Sequence, residues 1–157
     1  MKLTGGCLCG AVRYEFDGDP RMVFLCHCGD CRRHGGSLLH YGILVAAEAL
    51  TIEGELKAYE SKADSGRSIT RKFCPTCGTG VANTMQLAPG MVSLKGGTLD
   101  ERGPAPTFEV YTESKTPWLS NAVELSGFEQ HATVSSKALA WKHRSGGFAQ
   151  PTRRRDD

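Results

Sequence analysis

Seven cysteines in a chain of 157 residues fall into three tight groups: Cys7-Leu8-Cys9, Cys26-His27-Cys28-Gly29-Asp30-Cys31 and Cys74-Pro75-Thr76-Cys77. Spacings of two and three suit a metal ion, because two sulfurs on one short turn must both reach a tetrahedral centre at about 2.3 Å. Other fates for the thiols fit less well. A disulfide framework leaves one of seven unpaired, and the opening residues MKLTGGCLCG lack the apolar core of a secretion signal, so a reducing cytoplasm is the expected setting. Cysteines serving only as small core hydrophobes would be scattered along the chain. Zinc is the expected cofactor, two ions per chain.

The sulfurs divide as four plus three. The triplet lies within six residues and acts as one loop, whereas Cys9 and Cys74 are 65 positions apart and cooperate only if the fold joins them. Cys7, Cys9, Cys74 and Cys77 would then enclose one ion completely. Such a site has no room for substrate and serves as a structural staple. Cys26, Cys28 and Cys31 leave their ion one ligand short, and an open position marks a catalytic zinc. These three are the catalytic candidates. His27, His34 or His40 could instead close the site as a second structural zinc. Cys28 and Cys31 alone would read as a redox pair, were it not for Cys26. Glycine follows Cys9, Cys28 and Cys77, where a positive φ would wrap the backbone round an ion.

The elements that must hold these turns read as strands. Residues 11–16 alternate, with Val12, Tyr14 and Phe16 on one face and Arg13 and Glu15 on the other. Residues 22–25, 41–45, 56–59, 68–73, 91–94 and 107–111 are further short candidates, punctuated by turn pairs such as Glu53-Gly54, Pro89-Gly90, Gly96-Gly97 and Gly103-Pro104. Helical periodicity is weak, with a turn or two conceivable over 37–44 and 134–142. The expectation is an all-β domain of short antiparallel strands stapled by zinc.

One domain suits this length, over residues 1–135, followed by a basic extension over 136–157 that is mobile unless a partner or the second subunit of a homodimer pins it. With Lys+Arg 19 against Asp+Glu 17, bulk charge gives no reason to expect a nucleic-acid partner. No apolar run approaches the ~18–20 residues of a membrane span.

Taken together, Gly5-Gly6-Cys7-Leu8-Cys9-Gly10 with Val12-Arg13-Tyr14, the Cys26-His27-Cys28 and Cys31-Arg32 stretch, and Arg71, Phe73-Cys74-Pro75-Thr76-Cys77-Gly78-Thr79 resemble the glutathione-dependent formaldehyde-activating enzyme family, shared with centromere protein V. Gly97-Thr98-Leu99-Asp100 and Ser114-Lys115-Thr116-Pro117-Trp118 resemble later signatures of that family, so the likeness runs over residues 3–130. It implies the Mss4-like β-tent fold, a structural zinc on Cys7, Cys9, Cys74 and Cys77, and a catalytic zinc on Cys26, Cys28 and Cys31. It also implies a carbon–sulfur lyase that joins a glutathione-like thiol and an aldehyde, formaldehyde in the named reaction.

Three thiolates and one zinc carry a formal charge of −1, so a substrate thiolate needs cationic help from among Arg32, Arg33, Arg67, Arg71 and Lys115. Glutathione adds two carboxylates and an ammonium, which makes Arg32, Lys115 and Trp118 the substrate-binding candidates. Ordinary roles compete, since Arg and Lys usually face water and a lone Trp usually packs in a core. His27 is a candidate general acid or base, or merely a spacer between ligands. The rival to an enzyme is a zinc-stapled module that binds a protein partner, which a large exposed apolar patch would favour.

Overall fold

A computed structural model describes residues 1–63 and 66–120. Ten strands are found among them: β1 (Lys2–Gly6), β2 (Arg13–Asp17), β3 (Met22–Cys26), β4 (His40–Ala46), β5 (Leu50–Glu53), β6 (Lys57–Lys62), β7 (Ser68–Phe73), β8 (Gly80–Met85), β9 (Met91–Lys95) and β10 (Phe108–Val110). Helix α1 (Gly29–Gly35) follows β3, and a single turn, α2 (Pro117–Ser120), follows β10. The fold is all-β. The proposed boundary at residue 135, the extension over 136–157 and the possible turn at 134–142 lie outside the described residues.

Two sheets form, a small one in the order β1-β2-β5 and a large one in the order β10-β3-β4-β9-β8-β7-β6. Alternation in β2 buries Tyr14 and Phe16 and exposes Arg13 and Glu15, as the sequence pattern requires. Those two rings join Leu3 and Val12 against Ile43 and Val45 of β4 and Val92 and Leu94 of β9, so the core lies between the sheets. Each fully buried Val, Ile or Phe there contributes about 1.5–3 kcal/mol.

The interior strand β4 has both faces covered. Ile43 and Val45 enter the core, while His40 and Leu44 project to the opposite face and line a cavity there. Gly42, between them, is pressed by the Phe24 ring, since a Cβ would stand 2.5 Å from that ring. Only glycine lets Phe24 lie flat on this strand.

Several expectations need correction. The helix over Gly29–Gly35 was not expected, and residues 37–44 enter β4 instead of turning helically. Cys28 creates that helix as its N-cap, its sulfur accepting the Cys31 amide at 3.3 Å. Gly29 therefore starts a helix and lacks the positive φ found at Gly10 and Gly78 (φ 78° and 73°). The sheet is also not purely antiparallel: β10 runs parallel to β3, pairing Phe108 with Phe24 and Val110 with Cys26. The long connection from β9, anchored where the Tyr41 hydroxyl donates to the Pro104 carbonyl at 2.6 Å, allows that direction. Strands β1, β5 and β8 went unanticipated.

Candidate metal centres

The first cluster is assembled by two matching turns. One joins β1 to β2 and carries Cys7 and Cys9, and the other joins β7 to β8 and carries Cys74 and Cys77. In each, a glycine of positive φ returns its amide to the first cysteine's carbonyl: Gly10 to Cys7 at 3.1 Å and Gly78 to Cys74 at 2.9 Å. The turns are laced together by the Leu8 amide, which donates to Thr79 Oγ1 at 3.2 Å.

The four sulfurs all lie within 4.8 Å of one another, with Cys7–Cys9 at 3.5 Å and Cys9–Cys74 at 3.8 Å. The edge of a tetrahedron with 2.3 Å metal–sulfur bonds is about 3.8 Å. The Val12 amide points at Cys7 Sγ from 3.2 Å, a donor that favours thiolate. Proton affinities within the group split widely. Hydrogen bonds from the Thr79 hydroxyl and amide pull Cys77 down to about 5. The Ala11 amide also favours a Cys9 thiolate, but hydrogen bonding with Cys7 and Cys77 carries Cys9 up to about 12. Thiols this close ionise together only around a cation, and the all-sulfur donor set fits a soft or borderline ion such as zinc.

The second cluster sits where β3 ends and α1 begins. Cys26, Cys28 and Cys31 also bring their sulfurs within 4.8 Å of one another, and none is in a disulfide. The Cys31 thiol holds Cys26 down to about 6, while the same contact and burial push Cys31 upward. No histidine nitrogen joins either group of donors among the described residues. His27 is fully buried and turned away toward β10, its Nε2 3.6 Å from Glu109 Oε1. Burial lowers His34 to about 4 and His40 to about 3, so both are neutral rings at pH 7, and His40 Nε2 lies 3.4 Å from Ser93 Oγ.

What separates the two clusters is the space beside them. Cys26, Cys28 and Cys31 line a cavity of about 490 Å³ on the far face of the large sheet. Its walls are mainly apolar, and its cationic side chains are Arg67 and Arg71. Arg71 is 5% exposed, donates to Ser61 Oγ, and meets Asp30 Oδ2 at 3.4 Å. Arg32, Lys115 and Trp118 are not among the residues that line this cavity. Arg32 belongs to α1, Lys115 is held by the Glu109 carboxylate at 2.8 and 2.9 Å, and Trp118 stands 55% exposed on α2.

Asn83, Ser93 and His40 do line the cavity, and sequence reasoning had not selected Asn83 or Ser93. Nor had it selected Lys95, an ammonium only 9% exposed whose charge is felt by all three cysteines. Its signal was a lysine closing the strand-like run Met91-Val92-Ser93-Leu94-Lys95.

Two stretches far apart in sequence also meet. Arg13 grips Asp100 with both guanidinium nitrogens, one at 2.9 Å, and the Tyr14 hydroxyl lies 2.9 Å from Thr98 Oγ1.

A model of the glutathione-dependent formaldehyde-activating enzyme family matches residues 2–114. No curated protein matches the chain significantly. A crystal structure of a Rhodobacter sphaeroides protein is similar in fold, with a TM-score of 0.54 and 22% identity over 68% of this chain and 99% of that one.

Proposed function

Because the chain belongs to the glutathione-dependent formaldehyde-activating enzyme family, we propose that it is a zinc-dependent carbon–sulfur lyase, making or breaking the adduct of a thiol and an aldehyde. Cys7, Cys9, Cys74 and Cys77 hold a structural zinc in this reading, and Cys26, Cys28 and Cys31 hold a catalytic one. The observation that carries it is the asymmetry: three sulfurs open onto a cavity, while four close on themselves.

A zinc bound by three thiolates supplies a Lewis acid that keeps a fourth sulfur ionised at neutral pH. The chain's own groups do the rest. In the forward direction one carbon–sulfur bond forms, and the proton given up by the thiol ends on the former aldehyde oxygen. Cleavage reverses both changes, and nothing is oxidised or reduced. The charge of −1 on the loaded site is answered by the nearby Lys95 cation, which is otherwise expensive to bury. Walls of apolar side chains exclude water and raise the strength of these interactions.

Seven free thiols fit a reducing cytoplasm. No helix among the described residues is long and apolar enough to cross a membrane.

The test is to mix zinc-loaded protein with formaldehyde and a panel of thiols including glutathione, and to follow loss of free thiol. Protein-dependent approach to equilibrium with at least one thiol, abolished in Cys31→Ser, is expected. Rates identical with and without protein across the panel would leave the scaffold reading in its place.

A further inference from the structure

The cavity beside the triplet is unlike a tripeptide site. Met22, Phe24, Leu44, Met85, Leu87 and Phe108 supply most of its apolar wall, with the Phe24 and Phe108 rings stacked at 6.0 Å. At the rim, Met22 is 43%, Leu87 68% and Phe108 37% exposed, so apolar surface continues from the cavity to solvent. Glutathione would bring two carboxylates and an ammonium into this lining. Arg71 is already committed to Asp30 and Ser61, which leaves Arg67 as the one lining cation among the described residues to receive a carboxylate. Charged groups stripped of water without a partner oppose binding.

One polar atom in the wall asks for a ligand. Asn83 lines the cavity, is 4% exposed, and its Oδ1 is buried with no hydrogen-bond partner among the described residues. A buried acceptor without a donor is rare in a folded protein and costly. Strand β8 pairs Asn83 with Ser93, another lining residue, while β3 delivers Cys26 to the same cavity. The hydroxyl of a thiol–aldehyde adduct, one bond from the carbon that carries sulfur, is a donor of the required kind.

We propose that this cavity binds a thiol–aldehyde adduct with an apolar thiol substituent, placing the adduct sulfur at Cys26, Cys28 and Cys31, the substituent against Phe24 and Phe108, and the adduct hydroxyl on Asn83 Oδ1. This rests on the lyase reading and adds the substrate class. Asn83 accepts a hydrogen bond and takes no proton. It discriminates adducts from sulfur compounds that lack the hydroxyl.

Stable thioethers test the assignment by calorimetry on the zinc-loaded protein. The probes are 2-(benzylthio)ethanol, benzyl propyl sulfide with methyl in place of hydroxyl, and S-(2-hydroxyethyl)glutathione. 2-(Benzylthio)ethanol is expected to bind about tenfold more tightly than either of the others. In Asn83→Ala the advantage of hydroxyl over methyl should fall to within about twofold, while 2-(benzylthio)ethanol keeps its lead over the glutathione probe, which loses the same contact. Tighter binding of the glutathione probe overturns the apolar assignment. A hydroxyl advantage that survives Asn83→Ala, or equal binding of the hydroxyl and methyl probes to the unsubstituted protein, overturns the Asn83 contact. The unsubstituted comparison needs no variant to fold. Turnover separates this proposal from its premise. Formaldehyde consumption with glutathione and none with benzyl mercaptan upholds the lyase and sinks the apolar substrate. The predicted binding order without turnover of any thiol sinks the lyase and upholds the ligand class.

Discussion

The two cysteine clusters use the same donor atom at similar separations, yet they are built by opposite means. The four-sulfur cluster ties two hairpin turns that share no strand pairing, and its members are brought together across 65 residues. The three-sulfur cluster is local, made by the end of one strand and the first turn of a helix, with Cys28 serving as both donor atom and helix cap. A site that joins distant segments has its consequences in the stability of the fold. One made by neighbouring residues leaves the fold nearly unchanged when it is lost, and can give up a coordination position to a substrate. In the proposed assignment, closure and openness follow from topology as much as from the number of ligands.

The sharpest way to break this comparison is Cys77→Ser. A structural zinc contributes roughly 10–16 kcal/mol, as much as the whole stability of a domain at about 5–15 kcal/mol. The variant should therefore be unfolded at 25 °C by circular dichroism. A folded variant that retains two ions would show that the first cluster is no staple. Cys31→Ser should behave differently: one zinc remains by elemental analysis, the thermal midpoint falls by less than about 5 °C, and adduct formation is lost. Unfolding of this variant would erase the distinction between the clusters.

The smallest effect is expected at the fold's second long-range tie, between Arg13 and Asp100. Asp100 is held below the usual carboxylate range first by its hydrogen bond from Arg13. A depressed folded value means that the contribution to stability is complete above about pH 4, the unfolded value, and disappears as the pH falls through the folded one. Arg13→Ala should thus lower the urea midpoint slightly at pH 7, converge with the unsubstituted protein in acid, and leave the zinc content at two. An undiminished difference in acid would show that the pair contributes through packing and not through charge.

Much of this was legible before any coordinates. Cysteine spacing alone gave the grouping into four and three, because a short turn limits which sulfurs can meet. Strand β7 was readable to the residue, and the alternation of β2 identified Tyr14 and Phe16 as core. Strands β1 and β8 were hidden for a physical reason. KLTGG and GVANTM are poor in β-branched and aromatic residues, and tertiary pairing overrides their local preference. Helix α1 was masked by reading Cys-His-Cys-Gly-Asp-Cys only as a ligand loop, although a sulfur able to bind a metal can also cap a helix. Asn83 and Ser93 carried no signal, since what gathers them at the cavity is the pairing of β8 with β9. Nor did polarity alone tell which cations would face the cavity: Arg67 and Arg71 do, whereas Lys115 is taken by Glu109.

Strand β10 is three residues long, sits at the sheet's margin among the described strands and is paired there with β3 alone, yet it supplies Phe108 and Val110 to the cavity and Glu109 to His27. So short a ladder detaches at far lower free energy than the seven-residue strand β4, paired on both sides inside the sheet. Peeling it back would open the cavity while both cysteine clusters stay assembled, so exchange of a ligand would leave the four-sulfur cluster undisturbed. The amide of His27, which donates to the Val110 carbonyl at 3.1 Å, reports on that motion, and its hydrogen should exchange with deuterium well before those of β4.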